Sequence, residues 1–423
     1  MLKRWRSSLT RFGSTQGKLS NSRAKFQVAA FFISLNVLSI FNTNAIAESV
    51  EFLNKINQTA NNNTLSPLAT TNPSLNSDLY GNGTLLSEFT SWGISPYNDT
   101  ASIHLPLAWK NFQKIKSVVV AVIDTGIDPQ HPFLKNNIYV KSGNVGPENF
   151  GVDFSKFRTN DKKPEDSHGH GTHVSGIIRS IFPEVQILAL KYYSTHPKAT
   201  GQDNLDSTIE ALRYAVDSNV DVINYSGGGA EPSIEELKIL TEAQRKGIIV
   251  VAAAGNEESN IDNKKNAYFP ASYRLTNIIT VTANDQDLSI IPSSNYGANT
   301  VDISAPGYRI RSSFPNARAV YLTGTSQATA FVSGVVALLK SQFPNISVAQ
   351  VKEVLMASAH KVDSMKAKCL AGGTLDAGAA LALAKAKFSD NAEGSRTVAE
   401  ENKKKMLNSR GKRPGKIIYR RSK

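Results

Sequence analysis

Five short, nearly continuous apolar runs most strongly limit the folds open to this chain. They lie at Ser117–Asp124, Val185–Lys191, Asp221–Ser226, Ile248–Asn256 and Asn277–Ala283. Because apolar residues do not alternate with polar ones in these runs, both faces of each strand are expected to be buried. Strands of this kind are typical of a parallel sheet that is covered by helices on both faces. The chain therefore predicts a mainly parallel central sheet.

Stretches with helical periodicity lie between the predicted strands. One covers residues 204–220, and capping boxes at 233–236 and 347–350 predict the starts of two more helices. Gly247 is the predicted C-terminal end of the helix that begins at 233. Strands and helices alternate over about 90–388, which predicts one three-layer, doubly wound α/β domain. In such domains ligands bind beyond the carboxyl ends of the strands.

The formal charge of +13 lies at the two ends of the chain. Residues 1–47 carry seven basic groups and no acidic one, and residues 389–423 carry eleven basic and four acidic groups. Residues 48–388 are close to neutral, so no specific nucleic-acid partner is predicted. Residues 389–423 are predicted to form a disordered basic tail. The alternative is electrostatic attachment of this tail to an anionic surface.

The N-terminal sequence indicates export. The basic residues precede an apolar run at Phe26–Phe41, and Ala45 and Ala47 then stand at the small-residue positions that a signal peptidase needs. We predict a signal peptide over 1–47 and a secreted or periplasmic protein. A membrane anchor is the alternative, but sixteen residues are short for a span of about 20. Residues 48–89, rich in Asn, Thr and Ser, are predicted to be a disordered leader.

Two polar motifs follow or open predicted elements in the first half of the domain. D-T-G-I-D begins at Asp124, after the first strand, and fits either a turn or a carboxylate placed in the ligand cleft. H-G-H-G-T-H-V-S-G begins at His168 and opens a predicted helix. A zinc site using His168 and His170 is one interpretation, although the motif lacks the i, i+4 histidine pair of a helical zinc site. The other interpretation is a single functional histidine, His170, at the start of the helix.

Two further motifs lie in the second half. Asn256 follows the small residues that end an apolar strand, where its amide can face the cleft, form a turn or cap a helix. Ser326 lies in G-T-S-Q-A-T-A at 324–330, at the head of a predicted buried helix. It can be a cap or a nucleophile, and the helix N-terminus favours negative charge on a nearby oxygen. Each motif is ambiguous alone.

Taken in order, the four motifs resemble the signature blocks of the subtilisin-like serine proteases (subtilases) over about 300 residues. The resemblance implies a subtilisin-like serine endopeptidase that acts on proteins or peptides. Ser326 would attack the peptide carbonyl, His170 would take and return its proton, and Asp124 would hold the imidazole. Asn256 and the Ser326 N–H would bind the oxyanion. A non-catalytic peptide-binding relative is the alternative.

The resemblance also implies substrate contacts. Ser226, Gly227 and Gly228 resemble the strand that pairs with an extended peptide. Gly255 and Glu257 are implied to border the pocket for the residue before the cut (P1), where Glu257 could favour a basic side chain.

The chain also departs from the family pattern. Phe133 stands where many subtilases have an aspartate of their strong calcium site, and the calcium-binding loop that follows the catalytic histidine is missing. We therefore predict no calcium at that site, leave calcium at another site open, and predict no other cofactor and a monomer. No folded prodomain is recognisable between Ala47 and Trp92. Gln327 and Ala330 replace the usual Met and Pro after the nucleophile.

Overall fold

The computed structural model describes residues 89–95, 100–140, 150–158 and 162–388. Nine of its strands form one sheet: β1 Val119–Asp124, β2 Gly151–Asp153, β3 Gln186–Lys191, β4 Val222–Tyr225, β5 Ile249–Ala253, β6 Ile278–Asn284, β7 Ile303–Pro306, β10 His360–Lys361 and β11 Gly373–Thr374. A separate antiparallel hairpin consists of β8 Ile310–Phe314 and β9 Arg318–Leu322. The sheet order is β10-β11-β7-β6-β5-β4-β1-β3-β2. Only the β10–β11 pair within it is antiparallel, which confirms the prediction of a mainly parallel sheet.

Helices cover both faces of the sheet. They are α1 Leu105–Asn111, α2 His170–Ile181, α3 Gly201–Asp217, α4 Ile234–Arg245, α5 Thr325–Gln342 and α6 Val348–Ser358, and residues 377–388 are also helical. Alternate residues of β1 pack against different layers. Val120 and Val122 join the apolar cluster that contains α2 and α5, whereas Ala121 and Ile123 join the cluster that contains α3 and α4. The three-layer α/β prediction is therefore confirmed.

Helix α5 lies in the middle of one layer, and all eighteen of its residues are buried. Two glycines allow close packing around it. A Cβ atom on Gly334 of α5 would lie 2.8 Å from Cβ of Ile181 in α2, and one on Gly176 of α2 would lie 2.2 Å from Oγ of Ser313 in β8. These contacts leave no room for larger side chains. They fix α2 against α5 and the hairpin, and the first turns of the two helices carry His170 and Ser326.

Local hydrogen bonds explain where the helices differ from their predicted bounds. Helix α3 begins three residues before the predicted 204, because Thr200 and Asp203 form a reciprocal capping box. Of the two reciprocal hydrogen bonds of the capping box predicted at 233–236, only one forms. Ser233 accepts from the N–H of Glu236, but the buried Glu236 side chain accepts instead from the Tyr225 hydroxyl at 2.9 Å. The box at 347–350 forms completely.

The two ends of the chain lie outside the described residues. This applies to the predicted signal peptide, to the basic tail and to the predicted leader except for Phe89. Phe89 is buried, and its ring stacks on Phe133 with centroids 5.1 Å apart. Among the described residues, no helix combines the length and apolar character needed to cross a membrane.

Candidate active site

Three of the predicted site residues lie at the carboxyl edge of the sheet. β1 lies between β3 and β4 in the sheet. The strands that follow β1 in the chain are therefore added first on one side of β1 (β2 and β3) and then on its other side (β4). A crevice opens at such a reversal of strand order. Asp124 is the last residue of β1, Ser226 directly follows β4, and Asn256 lies three residues beyond β5. The fold therefore places these polar residues where α/β proteins bind ligands.

His170, the first residue of α2, is held by Asp124. The imidazole Nδ1 donates to Oδ1 of Asp124 at 2.7 Å, and the same oxygen accepts from the N–H of Thr125 at 2.7 Å. Asp124 is only 3% exposed. Burial lowers the pKa of His170, but the charge and hydrogen bond of Asp124 and the charge of Asp166 outweigh it, so the pKa is raised above 6.5. Because Nδ1 is hydrogen-bonded to Asp124, Nε2 is the imidazole nitrogen that can accept a proton.

Asp166 organises the start of α2, a role that our sequence analysis missed. Its Oδ1 accepts from the Thr125 hydroxyl at 2.8 Å and from the N–H of Gly169 at 2.7 Å. Its Oδ2 accepts from the N–H and the hydroxyl of Thr172, at 2.9 and 2.6 Å. This buried carboxylate ties the end of β1 to the first turn of α2. An acidic residue four positions before a histidine at a helix start was the available signal.

Ser326 is the second residue of α5 and is 7% exposed. Its hydroxyl donates to the main-chain oxygen of Ser226 at 3.1 Å, rather than to His170, in this structure. The Ser226 hydroxyl donates in return to the main-chain oxygen of Ser326 at 3.4 Å. Ser326 is thus joined to the segment that follows β4.

Asn256 is oriented by the first residue of α5. Its Oδ1 accepts from the N–H of Thr325 at 2.9 Å and from the Thr325 hydroxyl at 3.3 Å. Because Oδ1 is engaged in this way, the Nδ2 donors remain for another partner. A Cβ atom on Gly324 would lie 3.2 Å from Oδ1 of Asn256. Glycine at 324 therefore keeps space between Asn256 and the start of α5.

The other two histidines of the motif have different surroundings. His173 is fully buried, and its Nε2 donates to the main-chain oxygens of Ile310 and Val320 at 3.0 and 3.2 Å. Burial and the nearby His170 lower the pKa of His173 to about 4, so it is neutral. The ring of His168 lies 6.3 Å from that of His170. Within the described ranges, no three His, Cys, Asp or Glu side chains are grouped to hold a metal, so the geometry does not support the zinc interpretation.

The position of the strong calcium site does not fit a calcium ion. Phe133 is 2% exposed, and the Arg179 guanidinium carbon lies 3.9 Å from its ring centroid. Calcium requires six to eight oxygen ligands, whereas an aromatic ring and a cation occupy this place. The absence of calcium from this site stays a prediction. We expect no large fall in melting temperature with a chelator. A large fall in thermal unfolding experiments would contradict the prediction unless a different calcium site is responsible.

Of the predicted substrate-binding residues, Gly228 lines a cavity at the end of β4. Gly228 is exposed beyond the end of β4, and Gly229 pairs with Phe269 through hydrogen bonds of 2.9 and 2.8 Å. The Phe269–Pro270 peptide bond is cis. A Cβ atom on Gly227 would lie 2.4 Å from the Tyr192 hydroxyl oxygen. The cavity has a volume of about 450 Å³, and its lining also includes Tyr192, Tyr193, Tyr225, Glu236 and Phe269.

Gly255 and Glu257 follow β5. Gly255 has φ of 100°, a left-handed conformation that favours glycine. The exposed Glu257 accepts through Oε2 from Nδ2 of Asn295 at 2.6 Å. Asn295 also accepts from the N–H groups of Glu257 and Ser259, at 3.1 and 2.9 Å. One buried amide therefore fixes the segment that follows β5.

The chain is similar to proteins of a known family. The sequence model of the subtilase family matches residues 115–400. The major intracellular serine protease of Bacillus subtilis (strain 168) is 34% identical over 248 residues, which cover 56% of this chain and 73% of that protein. The thermophilic serine proteinase of Bacillus sp. (strain AK1) is 33% identical over 320 residues, or 73% of this chain and 69% of that protein.

A third relative comes from another genus. The M-protease of Shouchella clausii (strain KSM-K16) is 31% identical over 281 residues, which cover 64% of this chain and 65% of that protein. The family model covers most of the domain that carries Asp124, His170, Asn256 and Ser326. The parallel sheet and its two helical layers fit the same assignment. The chain therefore belongs to the subtilase family and is a subtilisin-like serine endopeptidase, a hydrolase that acts on proteins or peptides.

Proposed function

We propose that Ser326, His170 and Asp124 form the catalytic triad of this endopeptidase. The observation that carries the proposal is the 2.7 Å hydrogen bond between the His170 imidazole and the buried Asp124 carboxylate. This bond fixes the tautomer in which Nδ1 carries the proton, so Nε2 can accept one. Ser326 Oγ then turns from the Ser226 carbonyl to Nε2 when substrate binds. Catalytic hydrogen bonds often tighten only in the substrate complex.

The reaction follows from these roles. Ser326 Oγ attacks the peptide carbonyl carbon while His170 takes the hydroxyl proton, and the carbonyl oxygen becomes an oxyanion. His170 then gives the proton to the leaving amine, and the C–N bond breaks to form an acyl-enzyme. Water repeats the sequence: His170 takes its proton, the ester bond breaks, and the proton returns to Ser326 Oγ. Asp124 stabilises the imidazolium throughout.

Asn256 and the main-chain N–H of Ser326 are proposed to bind the oxyanion. The Asn256 amide is oriented by Thr325, which engages Oδ1 and leaves Nδ2 to donate. The N-terminus of the buried helix α5 adds a favourable positive potential at the same place. Ser226, Gly227 and Gly228 supply main-chain groups for an extended substrate.

Covalent labelling tests the nucleophile. A fluorophosphonate probe should label the wild-type protein at Ser326, because only an activated serine hydroxyl attacks its phosphorus at a useful rate. Ser326→Ala should abolish labelling. Ser358→Ala, which removes the hydroxyl of a helical serine in α6, should retain it. Labelling of the Ser326→Ala protein would refute the assignment, and peptide mapping of the labelled protein would show which serine reacts.

Export and surface attachment are further parts of the proposal. The basic segment, the apolar run at Phe26–Phe41 and the alanines at 45 and 47 support cleavage after Ala47. Protein recovered outside the cell should begin at Glu48 by N-terminal sequencing, and retention of residues 1–47 would contradict this.

The eleven basic residues of 389–423 support attachment to an anionic surface. Equal binding of full-length and tail-deleted protein to anionic vesicles would contradict that role. The predicted monomer is testable by analytical ultracentrifugation.

A further inference from the structure

We propose that the Tyr268 side chain fills the P1 pocket, so the enzyme prefers substrates with a small residue before the cut. The inference rests on the proposed function and identifies its substrate class. The family resemblance implies that Gly255 and Glu257, after β5, border this pocket, and that the extended substrate pairs with the segment after β4 that contains Gly228. Tyr268 approaches both glycines.

The two glycines show where the ring lies. A Cβ atom on Gly228 would be 2.4 Å from Cε1 and 2.9 Å from Cζ of Tyr268. A Cβ atom on Gly255 would be 3.1 Å from Cδ2 of the same ring. The ring therefore contacts both walls of the slot, one with each of its edges. A large P1 side chain would have to enter the space that the ring already occupies.

The main chain holds the ring in place. The N–H of Tyr268 donates to the Ser272 hydroxyl at 3.0 Å. The next residue, Phe269, exchanges two main-chain hydrogen bonds with Gly229, so the segment that carries the ring is tied to the glycine wall. Burial and the nearby Glu257 carboxylate raise the pKa of Tyr268, which keeps the phenol neutral at ordinary pH. Moving the ring would break packing on both sides of the slot.

Glu257 gives the competing expectation of a basic P1 residue. Its carboxylate is engaged by Asn295 at 2.6 Å, and its Oε2 would lie 2.4 Å from a Cβ atom on Gly255. A lysine side chain would need a free path past the Tyr268 ring to reach it. The ring contacts therefore favour Gly, Ala or Ser at P1 over both Phe and Lys.

The test compares three tetrapeptide p-nitroanilides that are identical except for Ala, Phe or Lys at P1. The wild-type enzyme should have at least a 10-fold higher kcat/KM for the Ala substrate than for either of the others, since misfit by a few atoms in a pocket changes kcat/KM by about 10- to 200-fold. Tyr268→Ala should raise kcat/KM for the Phe substrate relative to Ala by at least 10-fold. Tyr268→Phe keeps the ring and should keep the preference for Ala.

Each outcome decides the inference. Equal or faster cleavage after Phe by the wild-type enzyme overturns it, and this result does not depend on whether Tyr268→Ala folds. Cleavage best after Lys, lost in Glu257→Gln, would instead assign the pocket to Glu257. An unchanged Phe-to-Ala ratio in a folded Tyr268→Ala protein also overturns it. Probe labelling separates a failure of this inference from a failure of the proposed triad. A labelled enzyme that does not prefer Ala at P1 refutes only this inference. A wild-type protein that is not labelled refutes the proposed triad as well.

Discussion

Asp124→Asn is expected to lower kcat by about 10⁴-fold. The amide can donate to His170 as well as accept from it, so the tautomer with a free Nε2 acceptor is no longer enforced. The imidazolium that forms during attack also loses its counter-charge, which is 2.7 Å away in the wild-type protein. Steady-state hydrolysis of one peptide substrate by the two proteins measures the effect.

The same substitution should change the pH dependence of activity. Only neutral His170 can accept the Ser326 proton, so kcat/KM falls as pH drops through the pKa of His170. That pKa is raised in the wild-type protein, because the Asp124 and Asp166 interactions outweigh burial. Without the Asp124 charge, burial should lower the pKa of His170. The acidic limb of the pH profile should therefore move to lower pH. A limb that stays in place would show that Asp124 does not set this pKa.

A second His–Asp pair provides a matched control. His104 Nδ1 and Asp376 Oδ2 are 2.8 Å apart, and neither residue belongs to the proposed triad. Asp376→Asn therefore removes the same charge from a similar hydrogen bond and should leave kcat and the acidic limb unchanged. A comparable loss of kcat in Asp376→Asn would mean that the effect of Asp124→Asn reports general destabilisation.

Asn256→Ala is expected to lower kcat by roughly 10²–10³-fold with little change in KM. The amide donates to charge that develops only in the transition state, so its loss should leave ground-state binding almost intact. Kinetics over a range of substrate concentrations separate the two parameters. A rise in KM with kcat unchanged would assign Asn256 to substrate binding instead.

Two controls make that result specific. Asn111→Ala removes a side-chain amide from α1 and should leave both parameters unchanged. Fluorophosphonate labelling of Asn256→Ala should persist but become slower, because Ser326 and His170 are still present while the developing negative oxygen has lost a donor. Thermal unfolding should confirm that the variant is folded, since Thr325 also loses its Oδ1 acceptor.

The sequence by itself determined five of the nine strands of the sheet, its layers and the family. Short continuous apolar runs indicate burial on both faces, which is why Val119–Asp124 and its neighbours could be predicted as strands of a covered parallel sheet. The four motifs were recognisable because the polar residues of such sites follow the ends of buried strands or open buried helices. Their order along the chain carried the family resemblance.

Tertiary structure alone decided the contacts between distant segments. Asp166 acts on β1 and α2 through hydrogen bonds whose partners are up to 41 positions away, and Glu236 pairs with Tyr225 instead of completing a capping box. The position of the Tyr268 ring between Gly228 and Gly255 depends on three segments that only folding brings together. Local sequence patterns report burial and helix ends, because these depend on neighbouring residues. Which side chain fills the space between distant segments depends on the packing of the whole domain, and that packing decides what the P1 pocket can hold.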